Sequence, residues 1–218
     1  MNDDRLDPHG VAGFEFIEFA APDPEQIHEL FRQMGFAPIA RHRKLAVTLY
    51  RQGDINLLVN EVPDSFASRF AAQHGPSCTG FGLRVTDAQH AFGVTLDQGA
   101  ESMNDVPGVA LDVPRIAGIG GSVLYLIDRK AGSTWASEYE LLEGADPNHQ
   151  GFGLTFIDHL THNVHFGNMD EWAGFYERLF GFYEVRYFDI KGQQTGLKSR
   201  AMTAPNGSIS IPINESED

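Results

Sequence analysis

The chain has 218 residues, with 16 Lys and Arg set against 30 Asp and Glu and a formal charge of −14, a balance that argues against nucleic acid or an anionic membrane as partner. Its length suffices to bury a real core in one large domain or two small ones. The single cysteine, Cys78, excludes an internal disulfide and a cysteine-based zinc site. No apolar run is long enough to span a bilayer, and the acidic start Met1-Asn2-Asp3-Asp4-Arg5 is no signal peptide, so a soluble cytoplasmic protein is expected.

Residues 1–12 carry no period and read as a loose tail. Phe14-Glu15-Phe16-Ile17-Glu18-Phe19 alternates as a half-buried strand. Asp23 is placed to cap a helix that Pro24 opens, with Ile27, Leu30, Phe31 and Met34 on one face and Gly35 as its stop. Strands are expected at 37–41, 46–50 and 55–59, giving the order β-α-β-β-β. A connector follows from Pro63 to Pro76, with a short helix near 66–72.

The same order returns less clearly. Gly80 to Val85 is a strand, Asp87 caps a helix through Leu96, and strands are expected near 108–113, 122–127 and 139–142. The segment from Asp128 to Ser137 is loop-like. Gly118-Ile119-Gly120-Gly121 has neither the preceding strand nor the following helix of a dinucleotide fingerprint and reads as a turn. Residues 143–151 form the best linker, which divides the chain into residues 1–150 and 151–218.

Beyond the linker the order appears a third time. Residues 156–164 read as a strand, and Asn168 with Glu171 has capping-box spacing. Trp172, Phe175, Tyr176 and Leu179 make one apolar stripe ended by Gly181. Strands follow at 183–188, 199–203 and 208–213. A β-α-β-β-β unit cannot close a core alone, so three such units leave one without a partner.

Of nine histidines, His28 and His90 read as helix-surface residues, His42 lies among basic residues and His149 in the linker. On a strand, His159 and His162 point to opposite faces, while His159 and His165 lie about 20 Å apart. At most one of these three can therefore serve a given metal, with co-ligands from other strands. Asp158 is expected on the face opposite His159.

The stretches Ile157-Asp158-His159-Leu160-Thr161-His162-Asn163-Val164, Arg186 to Ile190, Gly196 to Pro205 and Ile211-Pro212-Ile213-Asn214-Glu215 resemble the bacterial type of 4-hydroxyphenylpyruvate dioxygenase. So do Gly13 to Asp23 and Thr48 to Asn56, and the resemblance covers nearly the whole chain. It implies the vicinal oxygen chelate fold, an α+β class built from paired β-α-β-β-β modules, of which three are present here and a fourth is missing. Residues 1–150 would be the two-module domain without metal, and 151–218 the first module of an incomplete iron-binding domain.

By that resemblance, His159 is one of two histidines that hold Fe(II) with a glutamate. Ser199 and Asn214 lie near the bound aromatic 2-keto acid, and Pro212 shapes the wall. The counterparts of His159 in the first two units, near Phe16 and near Phe81 or Leu83, cannot bind iron. A two-His-one-carboxylate site leaves positions for the keto acid and O2, and the implied products are homogentisate and CO2, a step of tyrosine catabolism. The resemblance implies a homo-oligomer for the full-length enzyme.

The second histidine and the glutamate belong to the fourth module, so the 218-residue chain is expected to be an inactive fragment with an exposed, association-prone sheet. Two other readings stand beside this one: the sibling 4-hydroxymandelate synthase, and a non-catalytic binding or assembly module.

Overall fold

The computed structural model describes residues 7–128, 132–191 and 196–216. Strands and helices follow in the order β1 (Gly13–Ala20), α1 (Glu25–Gln33), β2 (Ala37–His42), β3 (Val47–Gln52), β4 (Ile55–Asn60), α2 (Phe66–His74), β5 (Ser77–Val85), α3 (Ala88–Asp97), β6 (Arg115–Ala117) and β7 (Val123–Asp128). Then come α4 (Gly132–Glu138), β8 (Tyr139–Leu141), β9 (His162–Val164), α5 (Met169–Phe180), β10 (Tyr183–Lys191), β11 (Gly196–Thr203) and β12 (Ser210–Ser216). The first eight strands form one sheet in the order β6-β7-β5-β1-β4-β3-β2-β8, and the last four form another in the order β10-β11-β12-β9.

The two sheets share one pairing plan. In the first, β1 runs parallel to β4, which pairs antiparallel with β3, and β3 with β2. In the second, β9 runs parallel to β12, which pairs antiparallel with β11, and β11 with β10. The β-α-β-β-β order read from the hydrophobic pattern is therefore visible as topology in both.

The second unit departs from expectation in three places. Residues 108–113 form no strand; they bury Ala110, Leu111 and Val113 as an irregular plug, and the short β6 lies beyond Pro114. Buried Arg115 fixes that plug by donating to the carbonyls of Val113 (2.8 Å) and Met103 (3.0 Å). Tyr139–Leu141 is a strand, but it pairs with β2 at the far edge of the first unit. Within the loop-like segment, residues 132–138 are helical, and there Trp135 packs its ring 5.8 Å from Phe16 and donates to Glu15 at 2.9 Å.

Local capping follows the sequence only in part. Asp87 caps α3 by accepting from the His90 amide at 3.0 Å. Asp23 instead accepts from the Gln26 side chain at 3.0 Å, and Pro24 is the N-cap residue of α1. Asn168 makes no capping bond, because its backbone (φ −101°, ψ 1°) is not extended, as a capping side chain requires. Gly181 ends α5 in the left-handed conformation at φ 69°.

The expected loose tail is tied down where it is described. Val11 is fully buried, and His9 contacts the Leu179 carbonyl at 2.8 Å through Nε2; residues 1–6 lie outside the described residues. The linker is held as well. The Gln52 side chain accepts from the amides of Phe152 (2.7 Å) and Leu154 (3.2 Å), and Phe152 lies so close over Gly35 that a Cβ there would sit 2.7 Å from its ring. Helix α5 fills the space between the sheets. Tyr176, Leu179 and Phe180 share one apolar cluster with Leu83, Leu124 and Leu126 of the first sheet and Ile211 and Ile213 of the second.

Candidate metal and substrate site

Side chains alternate across a sheet, so register decides which residues of the second sheet meet. Met202, Ile211 and Ile213 are fully buried in the cluster around α5. Their neighbours along the strands therefore point to the opposite face, the more open one, where His159 is exposed, Pro212 and Asn214 are half-buried, and Ser199 and Thr203 are buried. His159 bridges to Ser210, and His162 and Asn163 pair with Ile213 and Asn214. The separation of 51 positions is constant, so residues 159–164 keep one parallel register with β12. The expected nine-residue strand is regular only at 162–164, and the rest is held by two bonds, Leu160 N–H to Ser210 O (3.2 Å) and Ser210 N–H to Asp158 O (2.9 Å).

On the open face the rows can be read directly. Ser199 stands across from Asn214, and Asn214 across from Asn163; the Asn214 amide donates to the Asn163 side-chain oxygen at 3.2 Å. Pro212 stands across from Ala201. The row of His159 and Ser210 continues to Thr203, whose hydroxyl is 3.0 Å from that of Ser210. His159, Ser199, Pro212 and Asn214 thus share one face, with His159 about 13 Å from Asn163 along the strand.

His159 keeps 53% of its side chain exposed, and its Nδ1 lies 3.0 Å from Asp158 Oδ1. This corrects the expectation that Asp158 turns away. The irregular backbone at 158–161 lets adjacent side chains meet, and the bond to His159 holds the Asp158 carboxyl below its usual range. A carboxylate on Nδ1 leaves Nε2 free and orients the ring, the arrangement common to metal-ligating histidines.

His162 faces the other way, into the core. Its Nε2 lies 2.7 Å from the Tyr176 hydroxyl, its ring stacks on Tyr176 at 5.7 Å, and Phe81 of the first sheet lies 5.9 Å away. Burial lowers its pKa to about 4, so near neutrality it is an uncharged packing residue. His28 is also buried, contrary to the surface reading, and its Nδ1 lies 2.8 Å from the Tyr50 hydroxyl. His42 pairs with Glu138 at 3.3 Å instead of sitting free among basic residues.

Among the described residues, no three of His, Cys, Asp and Glu stand together in a way that could hold a metal ion. His159 fits such a role as one donor, but the three-donor set that the resemblance implies is not assembled here. The face of the first sheet that matches the open face is filled. Phe16 is fully buried against Tyr125 (5.0 Å) and Trp135 (5.8 Å). Beside them, Glu18 accepts from Tyr125 at 2.5 Å and Asn60 at 2.6 Å, and burial raises its pKa. Phe81 and Leu83 are likewise buried core. Sequence reasoning missed this polar cluster, although Glu18, three residues after Glu15 and so on the opposite face of the strand, was its visible sign.

Comparison with known proteins gives a family. The model of the hydroxyphenylpyruvate dioxygenase N-terminal region matches residues 6–141, and that of the glyoxalase/bleomycin resistance protein/dioxygenase superfamily matches residues 156–218. A 4-hydroxyphenylpyruvate dioxygenase of Pseudomonas sp. (strain P.J. 874) is 53% identical over 95% of this chain, which spans 59% of that relative's length. Among solved structures, a xylose isomerase-like TIM barrel/4-hydroxyphenylpyruvate dioxygenase fusion protein has a TM-score of 0.82 at 32% identity, over 97% of this chain and 33% of its own. A 4-hydroxymandelate synthase mutant from Streptomyces coelicolor, at TM-score 0.75 and 20% identity over 96% of this chain and 64% of its own, shares the fold.

Proposed function

The chain belongs to the hydroxyphenylpyruvate dioxygenase family, and on that premise we propose that its second sheet carries part of the active site of a dioxygenase acting on 4-hydroxyphenylpyruvate and O2. The observation that supports this most is the common face. One register places an exposed imidazole, braced on Nδ1 by a carboxylate, on the same surface as Ser199, Pro212 and Asn214. In this reading residues 1–150 are a scaffold domain without metal, and residues from 151 onward begin the metal-binding domain.

His159 would donate Nε2 to Fe(II), which, once bound by a complete donor set, supplies the O2 chemistry. This chain's own contribution is narrower. Asp158 holds the ring of His159, and the Ser199 hydroxyl and Asn214 amide offer hydrogen bonds to a polar substrate. Pro212 gives a rigid apolar wall between them.

The test joins residues 1–218 in frame to the remaining C-terminal part of the Pseudomonas sp. relative, and follows O2 uptake and homogentisate formation with 4-hydroxyphenylpyruvate. The expected result is turnover that His159→Ala lowers by about a thousandfold or more. A folded chimera without turnover, or a His159→Ala chimera as active as its parent, overturns the proposal. Formation of 4-hydroxymandelate in place of homogentisate would assign the sibling activity.

A further inference from the structure

The linker between the two sheets is seated on the first one, and a single side chain does most of the seating. At the end of β3, Gln52 is fully buried. Its side-chain oxygen accepts from the amides of Phe152 (2.7 Å) and Leu154 (3.2 Å), and its nitrogen donates to the Met34 carbonyl at 3.0 Å. Gln52 thus ties the linker to the stop of α1 and uses both lone pairs of its oxygen. The turn that follows adds two backbone bonds, Gly53 N–H to His149 O (2.9 Å) and Asp54 N–H to Thr155 O (3.2 Å).

The fit leaves no room for side chains at the points of contact. Gly151 has φ 50°, and a Cβ there would lie 2.2 Å from the Gly35 carbonyl oxygen and 2.6 Å from Gln52 Cδ. Gly53 has φ 56°, and its Cβ would meet the Leu154 carbonyl oxygen at 2.6 Å. Both positions call for glycine.

The segment that leaves this seat carries His159. Ile157 and Leu160 each pack against the cluster under α1 as well as the one around α5. Neighbouring side chains on a regular strand point apart, yet His159 Nδ1 and Asp158 Oδ1 lie 3.0 Å apart. That contact needs the irregular backbone at 158–161. Its far end is held by the two bonds to Ser210, and its near end by the seat at Leu154 and Thr155.

We propose that Gln52 is a positioning residue for His159: by seating residues 149–155 on the first sheet it fixes the course of 156–160, and so holds the imidazole against Asp158 with Nε2 left free. Its catalytic meaning rests on His159 as a metal donor, whereas the positioning is a property of the chain without metal. The first domain then aims a residue of the second.

NMR of the 15N-histidine-labelled 218-residue chain, under mildly alkaline conditions, reads the ring, and His159→Ala assigns its signals. In the parent the His159 proton is expected mainly on Nδ1, the nitrogen facing Asp158. Gln52→Ala removes the bonds of the seat, and Gly151→Ala dislodges the linker while keeping the Gln52 side chain. Each should lower the ratio of Nδ1–H to Nε2–H by about threefold or more. Each should also speed amide exchange at Leu160 and Ser210 by about tenfold or more. Val123→Ala, a core truncation on β7, should lower stability and leave the ratio unchanged. Circular dichroism checks folding, and Gly151→Ala carries the same reading should Gln52→Ala not fold. A parent ring without preference for Nδ1, seat variants that match the parent in ratio and exchange, or a Val123→Ala ratio that falls as far overturns the proposal. A chimera without turnover overturns the iron reading and leaves this one standing.

Discussion

β1 and β9 open the same kind of unit, run parallel to the last strand of that unit, and end in opposite circumstances. On β1, Phe16 is sealed under Tyr125 and Trp135, and Glu18 is enclosed with Tyr125 and Asn60. In the segment leading into β9, His159 stands half in water with its free nitrogen available. The difference lies in what covers the sheet. The plug at 108–113 and helix α4 close the first face, whereas on the second His159 is exposed, Pro212 and Asn214 are half-buried, and Ser199 and Thr203 are buried. One fold thus serves as packed scaffold where the face is filled and as a candidate site where it is open.

Truncation at the two matching positions gives the sharpest contrast. Phe16→Ala should lower unfolding stability by about 3–5 kcal/mol, through lost burial and the cavity left behind. His159→Ala should change it by no more than about 0.5 kcal/mol, as expected for an exposed site. Urea denaturation of both variants checks the pair, and equal losses would show that the second face is covered too.

Acid titration should separate the halves by sign. His162 has a folded pKa near 4, below its ordinary 6.5, so between those values the unfolded chain binds more protons. Its contribution, at most roughly 3 kcal/mol, is present above about pH 6.5 and lost as pH falls through about 4. Glu18 has its pKa raised by burial, so the native state holds the proton longer. Its contribution is complete below the ordinary carboxylate pKa and is lost as pH rises. Stability measured against pH should lose its acid-side slope in His162→Gln and its opposite slope in Glu18→Gln. Unchanged slopes would remove these two groups as the cause.

The smallest stability effect is expected at Asn214→Ala, which removes one exposed bond to Asn163 and should cost less than about 0.5 kcal/mol. In the chimera the same change should raise KM by about tenfold if the amide holds substrate. A KM that does not move would leave Asn214 as an ordinary strand residue.

Much of this was readable from residue pattern. Alternation in Phe14 to Phe19, the apolar stripe from Trp172 to Leu179 and the helix stops at Gly35 and Gly181 are local signals, and the elements formed where those signals lie. The opposed faces of His159 and His162 follow from strand periodicity alone. The errors share another cause. Residues 108–113 read as a strand because buried apolar plugs and buried strands look alike in sequence. Residues 132–138 read as loop because Gly132-Ser133-Thr134 are poor helix formers, and the contacts of Trp135 with Phe16 and Glu15 come from distant parts of the chain. His28 read as a surface residue because neither Tyr50 nor Glu61, its partners, is near it in sequence.

The sequence by itself determined the β-α-β-β-β order of the first and third units and the family, and it offered His159 as the histidine to test, since each rests on short-range periodicity or on a contiguous motif. Only the tertiary structure decided that Asp158 braces His159, that His162 is a neutral packing residue between two sheets, and that one face is plugged while the other is open. Those outcomes depend on strand register and on which distant segments compete for the same apolar surface, and such long-range packing leaves no local trace in the order of residues.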